Sequence, residues 1–93
     1  MPTWKQAALD DRQRIVAFIA DDNPMAAIAL GDALMEKAGQ LDAFPMSGRT
    51  GRVQGTRELV VHSHYVLVYR VMGGAAEVLR VLHTSQRWPA QAP

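Results

Sequence analysis

The sequence has no cysteine. That excludes a disulfide framework and a thiolate metal site, and it fits a reducing cytosol. Nowhere does an apolar run approach the roughly 18 residues that a membrane span requires. The opening Met1-Pro2-Thr3-Trp4-Lys5-Gln6 has no apolar stretch, which speaks against a signal peptide. The cytoplasm is therefore the expected location, with no membrane contact. Internal repeats and low-complexity tracts are also missing. With 93 residues there is room for one domain with a modest core. The expected plan for 1–93 is a helical hairpin over 5–41, an antiparallel sheet over 55–83 and a tail over 84–93.

Lysine is missing from the second half, and the absence exposes a division of charge. Residues 1–42 carry Lys5, Arg12, Arg14 and Lys37 against seven acids, a balance of −3. Residues 43–93 carry Arg49, Arg52, Arg57, Arg70, Arg80 and Arg87 against Glu58 and Glu77, a balance of +4. Arginine presents a planar fork suited to phosphate or carboxylate. One guanidinium alone is ordinary surface chemistry, but segregation between the halves points to an anionic partner for the second.

Helical periodicity governs the first half. Ala8, Arg12, Ile15 and Ile19 recur at spacings of four, three and four, with Phe18 beside them, and predict a helix over 5–21. Asp10, Asp11 and Arg14 are expected to face water. Asn23-Pro24 is a strong helix start, because Asn caps well and Pro at the first position forfeits no hydrogen bond. Ala27, Leu30, Leu34, Ala38 and Leu41 then predict a second helix from Pro24 to about Leu41, antiparallel to the first.

Residues 42–56 read as an irregular loop containing Pro45, Gly48, Arg49, Gly51 and Arg52. A glycine-rich loop with arginines can hold a phosphate, but the spacing is not that of a P-loop. Strands are expected over 57–61, 65–71 and 77–83, the last two joined by a Gly73-Gly74 turn that supplies positive φ. Strict alternation would put Val78, Arg80 and Leu82 on one face of the last strand and Glu77, Leu79, Val81 and His83 on the other. One face must pack on the helices; the other can display Arg and His. Residues 1–4 form a short edge strand or simply lead into the first helix. The fold class is thus α+β, a helical hairpin packed on a small antiparallel sheet of three to four strands.

The histidines invite chemical readings. His62 and His64 flank Ser63 in a tight turn, where histidines are usually idle. A His-x-His pair can bind zinc, but no third ligand has suitable spacing, so neither a metal nor another cofactor is expected. His83, followed by Thr84, Ser85 and Gln86, can act as a general acid or base near neutral pH, cap the sheet edge or meet a partner. Tyr69 reads as core, and Ser63 and Ser85 have no nucleophile context.

The order of these pieces carries a resemblance. A helix, an Asn-Pro turn, a second helix and a Gly-Arg loop are followed by Gly55-Thr56-Arg57-Glu58-Leu59-Val60-Val61. Then come Tyr65-Val66-Leu67-Val68-Tyr69-Arg70-Val71 and Leu79-Arg80-Val81-Leu82-His83. Over nearly its whole length the chain resembles the RelE/ParE superfamily, the toxin subunits of bacterial type II toxin–antitoxin modules.

That resemblance implies a cognate antitoxin that would wrap the toxin, adding a strand to a sheet edge or laying a helix in a groove. Operator DNA would be met only through the antitoxin. Two targets divide the superfamily: RelE-like members cut mRNA in the ribosomal A site, and ParE-like members inhibit DNA gyrase. RelE-like members place a basic residue after the first Tyr of the middle strand, where this chain has Val66, and two basic residues on the preceding strand, where Arg57 matches one position and Leu59 stands at the other. His64-Tyr65-Val66 and Leu82-His83 fit the ParE-like pattern, which is favoured, with a non-toxic binding module of the same fold as a further alternative. Were the chain a nuclease, the resemblance would nominate Arg57, Arg80, His83 and Arg87. Contacts to a target or antitoxin are expected from Arg49, Arg52, Arg57, Arg70, Arg80, His83, Gln86 and Trp88.

Overall fold

A computed structural model of the chain describes residues 2–62 and 64–89. Its elements in order are β1 (Thr3–Trp4), α1 (Gln6–Asp22), α2 (Pro24–Ala43), β2 (Arg49–Thr50), β3 (Arg57–His62), β4 (Tyr65–Met72) and β5 (Ala75–His83). Asn23 both ends α1 and starts α2. Its N–H donates to the Ile19 carbonyl at 2.7 Å, and its side-chain oxygen accepts from the Ala26 N–H at 3.0 Å. Pro24 stands at the first turn of α2. Such a cap stabilises a helix by about 1 kcal/mol.

Among the described residues the sheet has five strands in the order β1-β5-β4-β3-β2. Sequence periodicity predicts three to four antiparallel strands, and the difference lies at the two edges. β1 pairs with β5 in parallel, so the sheet is mixed, and β2 emerges from the expected loop as two residues opposite Arg57 and Glu58. Neither two-residue strand has a periodicity to read. The tight turn before β5 has positive φ at both Gly73 and Gly74, as expected.

The hairpin lies on one face of the sheet. Ala8, Leu30, Leu34 and Ala38 meet Leu67, Val78 and Val81 there. Beside them Leu41 packs with Tyr69 and Ala76. On the opposite face Val66, Val68 and Leu82 form a smaller cluster covered in part by Trp88. β4 is therefore buried on both sides, and Val66, Leu67, Val68 and Tyr69 are all buried in succession.

β5 departs from strict alternation. Its register against β4 runs Val68 to Arg80 and then Tyr69 to Val78, which leaves Leu79 as the extra residue of a bulge. The expected shared face of Val78, Arg80 and Leu82 is consequently split. Val78 joins Val81 under the helices, and Leu82 lies with Val66 and Val68. One inserted residue inverts the parity of everything beyond it.

Two side chains of α1 also differ from expectation. Phe18, placed beside the apolar stripe, is 77% exposed. Arg12, counted within the stripe, is half-buried with its guanidinium carbon 4.8 Å from the centre of the Trp4 ring, a cation–π geometry.

Tyr69 is the largest fully buried side chain. Its hydroxyl accepts from the Gly48 N–H at 2.8 Å and donates to the Pro45 carbonyl at 2.8 Å, so it fastens the 44–48 segment to the sheet. The tyrosine comes so close that a β-carbon at Gly48 would stand 2.7 Å from its ring and 2.9 Å from the Glu58 carbonyl oxygen.

Candidate functional site

Two carboxylates organise the arginines. Glu58, in the middle of β3's pairing with β2, is 3% exposed. Its carboxylate accepts from the Arg52 guanidinium at 2.9 and 3.1 Å, from the Arg52 backbone N–H at 3.0 Å and from Arg49 at 3.3 Å. The side-chain bond from Arg52 is the main reason its pKa falls from 4.5 to about 2, against the opposing effect of burial. Arg52 also donates to the Gln86 carbonyl at 3.2 Å, which ties the 49–52 segment to the tail.

The second carboxylate is Asp11, expected to face water but only 2% exposed. β1 ends opposite Val78, so the edge of β5 beyond that point has no strand beside it. Asp11 reaches down from α1 and accepts the Val81 N–H at 3.0 Å. It also takes a two-pronged contact from Arg80 at 2.7 and 3.0 Å, and a weaker one from Arg14 at 3.2 Å. Burial works to raise its pKa, but the Arg80 and Val81 bonds together with the charge of Arg80 leave it lowered.

Each buried acid thus holds two guanidinium groups, one tightly and one loosely. The tight partners, Arg80 and Arg52, have side chains 28% and 33% exposed; the loose ones, Arg14 and Arg49, are 59% and 61% exposed. Two other candidates are also committed. Arg70 pairs with Glu77 at 2.7 Å. Arg57 donates to the backbone carbonyls of Gly48 at 2.7 Å and Met46 at 3.4 Å. Arg87 has no ion pair or hydrogen bond among the described residues.

Arg52, Gln86, Arg87, Trp88 and Pro89 come together around a shallow cavity of about 410 Å³. His83, at the end of β5, is joined to this group through Gln86, whose N–H donates to the His83 carbonyl at 2.9 Å. Its Nδ1 accepts from the Ser85 N–H at 3.1 Å and sits 2.7 Å from the Ser85 hydroxyl. The His64 ring stacks on it at 5.7 Å and Tyr65 meets it edge-on at 5.3 Å. Ser63 lies outside the described residues. The nominated residues therefore divide among several partners: Arg49 and Arg52 on Glu58, Arg80 on Asp11, Arg70 on Glu77 and Arg57 on the Gly48 carbonyl, while Gln86 links Arg52, Arg87 and Trp88 to His83 in its aromatic corner.

Periodicity misses Asp11, Arg14 and Glu58 as organising groups. Asp11 does leave a trace: it lies three residues after Ala8 and four before Ile15, within the buried stripe. An acid there needs a cation from elsewhere, and Arg80, flanked by Leu79 and Val81, is the reciprocal oddity.

A model of the ParE toxin of the type II toxin–antitoxin system parDE matches residues 3–88. The chain belongs to this ParE toxin family. Y4kP of Sinorhizobium fredii, whose name carries the word toxin, is 37% identical over 87 residues, covering 92% of this chain and 90% of its own. Toxin RelE2 of Caulobacter vibrioides is 32% identical over 83 residues, covering 89% and 93%. Two solved structures share the fold. A chain of the chromosomal ParDE system from P. aeruginosa superposes with a TM-score of 0.76 at 24% identity, covering 89% of this chain and 96% of that one. The YoeB/ParE toxin from Agrobacterium tumefaciens gives 0.64 at 18% identity, covering 89% and 98%. The chain is accordingly a type II toxin of the ParE/RelE superfamily, and membership of a toxin–antitoxin family implies an antitoxin partner. Among the described residues no helix is long and apolar enough to cross a membrane.

The depressed pKa of Glu58 sets a pH dependence for this ParE-family toxin. A group whose folded pKa lies below its unfolded value adds stability that is fully present above the unfolded value. That contribution is lost as pH falls through the folded one. For Glu58 the window runs from 4.5 down to about 2. The gap in urea midpoint between the native protein and Glu58→Gln should therefore be constant near neutrality and shrink below pH 4.5. A gap that stays unchanged to pH 3 would mean that Glu58 is not ionised in its arginine clasp.

Proposed function

We propose that this toxin acts by inhibiting DNA gyrase and not by cutting RNA. The observation that carries the reading is that the positions where RNA cleavage would need cations are apolar or hold arginines already engaged within the fold. Cleavage of a phosphodiester needs a base for the 2′-hydroxyl, a cation for the phosphorane and an acid for the leaving oxygen. Where RelE-like members carry a basic residue, Val66 is buried in an apolar cluster with Val68, Leu82 and Trp88. The position of the other expected basic residue, Leu59, is a half-buried hydrophobe packed against the core. Of the nominated cations, Arg80 is consumed by Asp11 and Arg57 by backbone carbonyls. Such a surface suits recognition of a protein partner better than phosphoryl chemistry.

The mRNA interferase reading keeps one observation in its favour: the uncommitted Arg87 beside Trp88 at the shallow cavity, where a nucleotide base could stack. Two assays with the same preparation separate the readings. Purified toxin is expected to abolish supercoiling by gyrase when in molar excess and to leave mRNA intact on translating ribosomes. Full supercoiling together with cleaved mRNA would establish the interferase instead, and Arg87→Ala should then abolish cleavage. Controlled expression with no effect on growth would overturn both and leave a binding module.

A further inference from the structure

We propose that Arg14, Phe18 and His83 form a docking corner for an acidic–apolar segment of the antitoxin, with Arg14 as its anion anchor. The inference rests on the toxin–antitoxin reading and specifies where on this chain the partner is gripped. Asp11 carries one negative charge and holds two arginines. Arg80 meets it with two short bonds, whereas Arg14 gives it one bond of 3.2 Å and remains 59% exposed. The cluster therefore carries an excess positive charge, displayed on the Arg14 guanidinium. Arg14 also lines a pocket of about 220 Å³ with Ile15, Phe18, Tyr65, His83 and Gln86, none of them acidic.

The chemistry of that pocket selects its occupant. Ile15 and Phe18 offer an apolar wall, and Phe18, within the apolar run of residues 15–20, turns away from the core and is left 77% exposed. His83 accepts the Ser85 N–H through Nδ1, which in the neutral ring places the proton on Nε2 as a remaining donor. A cation, a ring donor and an amide beside an apolar wall fit a carboxylate adjacent to a large apolar side chain. A nucleic acid would call for a continuous basic stripe. Here the neighbouring Arg80 is neutralised, and the other arginines of residues 43–93 except Arg87 are already engaged within the fold.

The test measures binding of the dye-labelled antitoxin encoded beside the toxin, by fluorescence anisotropy at low and moderate salt. The toxin is used as native protein, Arg14→Gln, Phe18→Ser and, as a control for net charge, Lys5→Gln. Arg14 and Phe18 are exposed, and thermal melts of the free variants check that each is folded. Arg14→Gln is expected to weaken binding about tenfold, as loss of a charge-assisted hydrogen bond does, and to flatten the salt dependence. Phe18→Ser should weaken binding by a similar factor without changing the salt dependence, and Lys5→Gln should have little effect. Native toxin that binds while Arg14→Gln and Phe18→Ser bind equally well overturns the corner and leaves the antitoxin reading standing. Equal losses in Arg14→Gln and Lys5→Gln also overturn it, since net charge alone would then account for them. So does a single-stranded oligonucleotide that binds through Arg14 while the antitoxin does not. Failure of the native toxin to bind the antitoxin at all overturns the antitoxin reading itself.

Discussion

Asp11→Ala is expected to destabilise the free toxin by about 3 kcal/mol, because removing one member of a buried ion pair leaves its partner charge uncompensated. Two losses combine. Arg80, 28% exposed, loses both of its short bonds, and the Val81 N–H at the sheet edge loses its acceptor. For a domain of this size the melting temperature should fall by more than about 10 °C. Urea denaturation of the two proteins measures the difference directly. A second substitution makes the test sharper. Arg80→Met in the Asp11→Ala background removes the orphaned cation and should recover part of the stability, although the Val81 amide remains unpaired. A single-variant loss under about 1 kcal/mol would show that the Asp11 contacts contribute little more than a surface pair does.

Tyr69→Ala is expected to cost about 4 kcal/mol, the range for deleting a large buried aromatic side chain. Tyr69→Phe keeps the ring but strands the Gly48 N–H and the Pro45 carbonyl, and should cost about 2 kcal/mol. The pair of variants apportions the residue's contribution between packing and its two hydrogen bonds. It also tests what fastens the 44–48 segment, since proteolysis there should accelerate in Tyr69→Phe before the rest of the domain loosens. If Tyr69→Phe is as stable as the native protein, that segment is held by Arg57 and the β2–β3 pairing instead.

Much of this architecture is legible in the sequence wherever neighbouring residues determine local structure. Asn23-Pro24 marks the helix junction because a cap and a proline act within one turn, and Gly73-Gly74 marks the β4–β5 turn because few other residues accept positive φ. The features that escape are set by partners distant in the chain. Arg49–Thr50 is too short for any period and becomes a strand only because β3 lies beside it, while the edge strand at Thr3–Trp4, one of two readings of residues 1–4, is decided by β5. The bulge at Leu79 changes which side chains share a face, and Leu79 has no local signature that distinguishes it from its neighbours. Asp11 looks like the solvated neighbour of Asp10 until Arg80 is brought to it from 69 residues away. The candidate arginines are recognisable by type, but their availability is not: only the folded chain distinguishes Arg80, held tightly, from Arg14, held loosely.

The parallel pairing of β1 with β5 has a consequence for how the molecule is made. The helical hairpin rests on local contacts and can begin to form as soon as it is synthesised. β1 and the buried end of α1, in contrast, depend on the last strand: Lys5 donates to the Val78 carbonyl at 2.9 Å, and Asp11 waits for Arg80 and Val81. With synthesis proceeding at roughly 5–20 residues per second, the earliest residues of the chain remain without partners for several seconds. The fold is thus closed by its last strand, and a chain interrupted before β5 lacks both the strand that joins β1 to β4 and the clasp on α1. Until that strand emerges from the ribosome there is no completed toxin for an antitoxin to restrain.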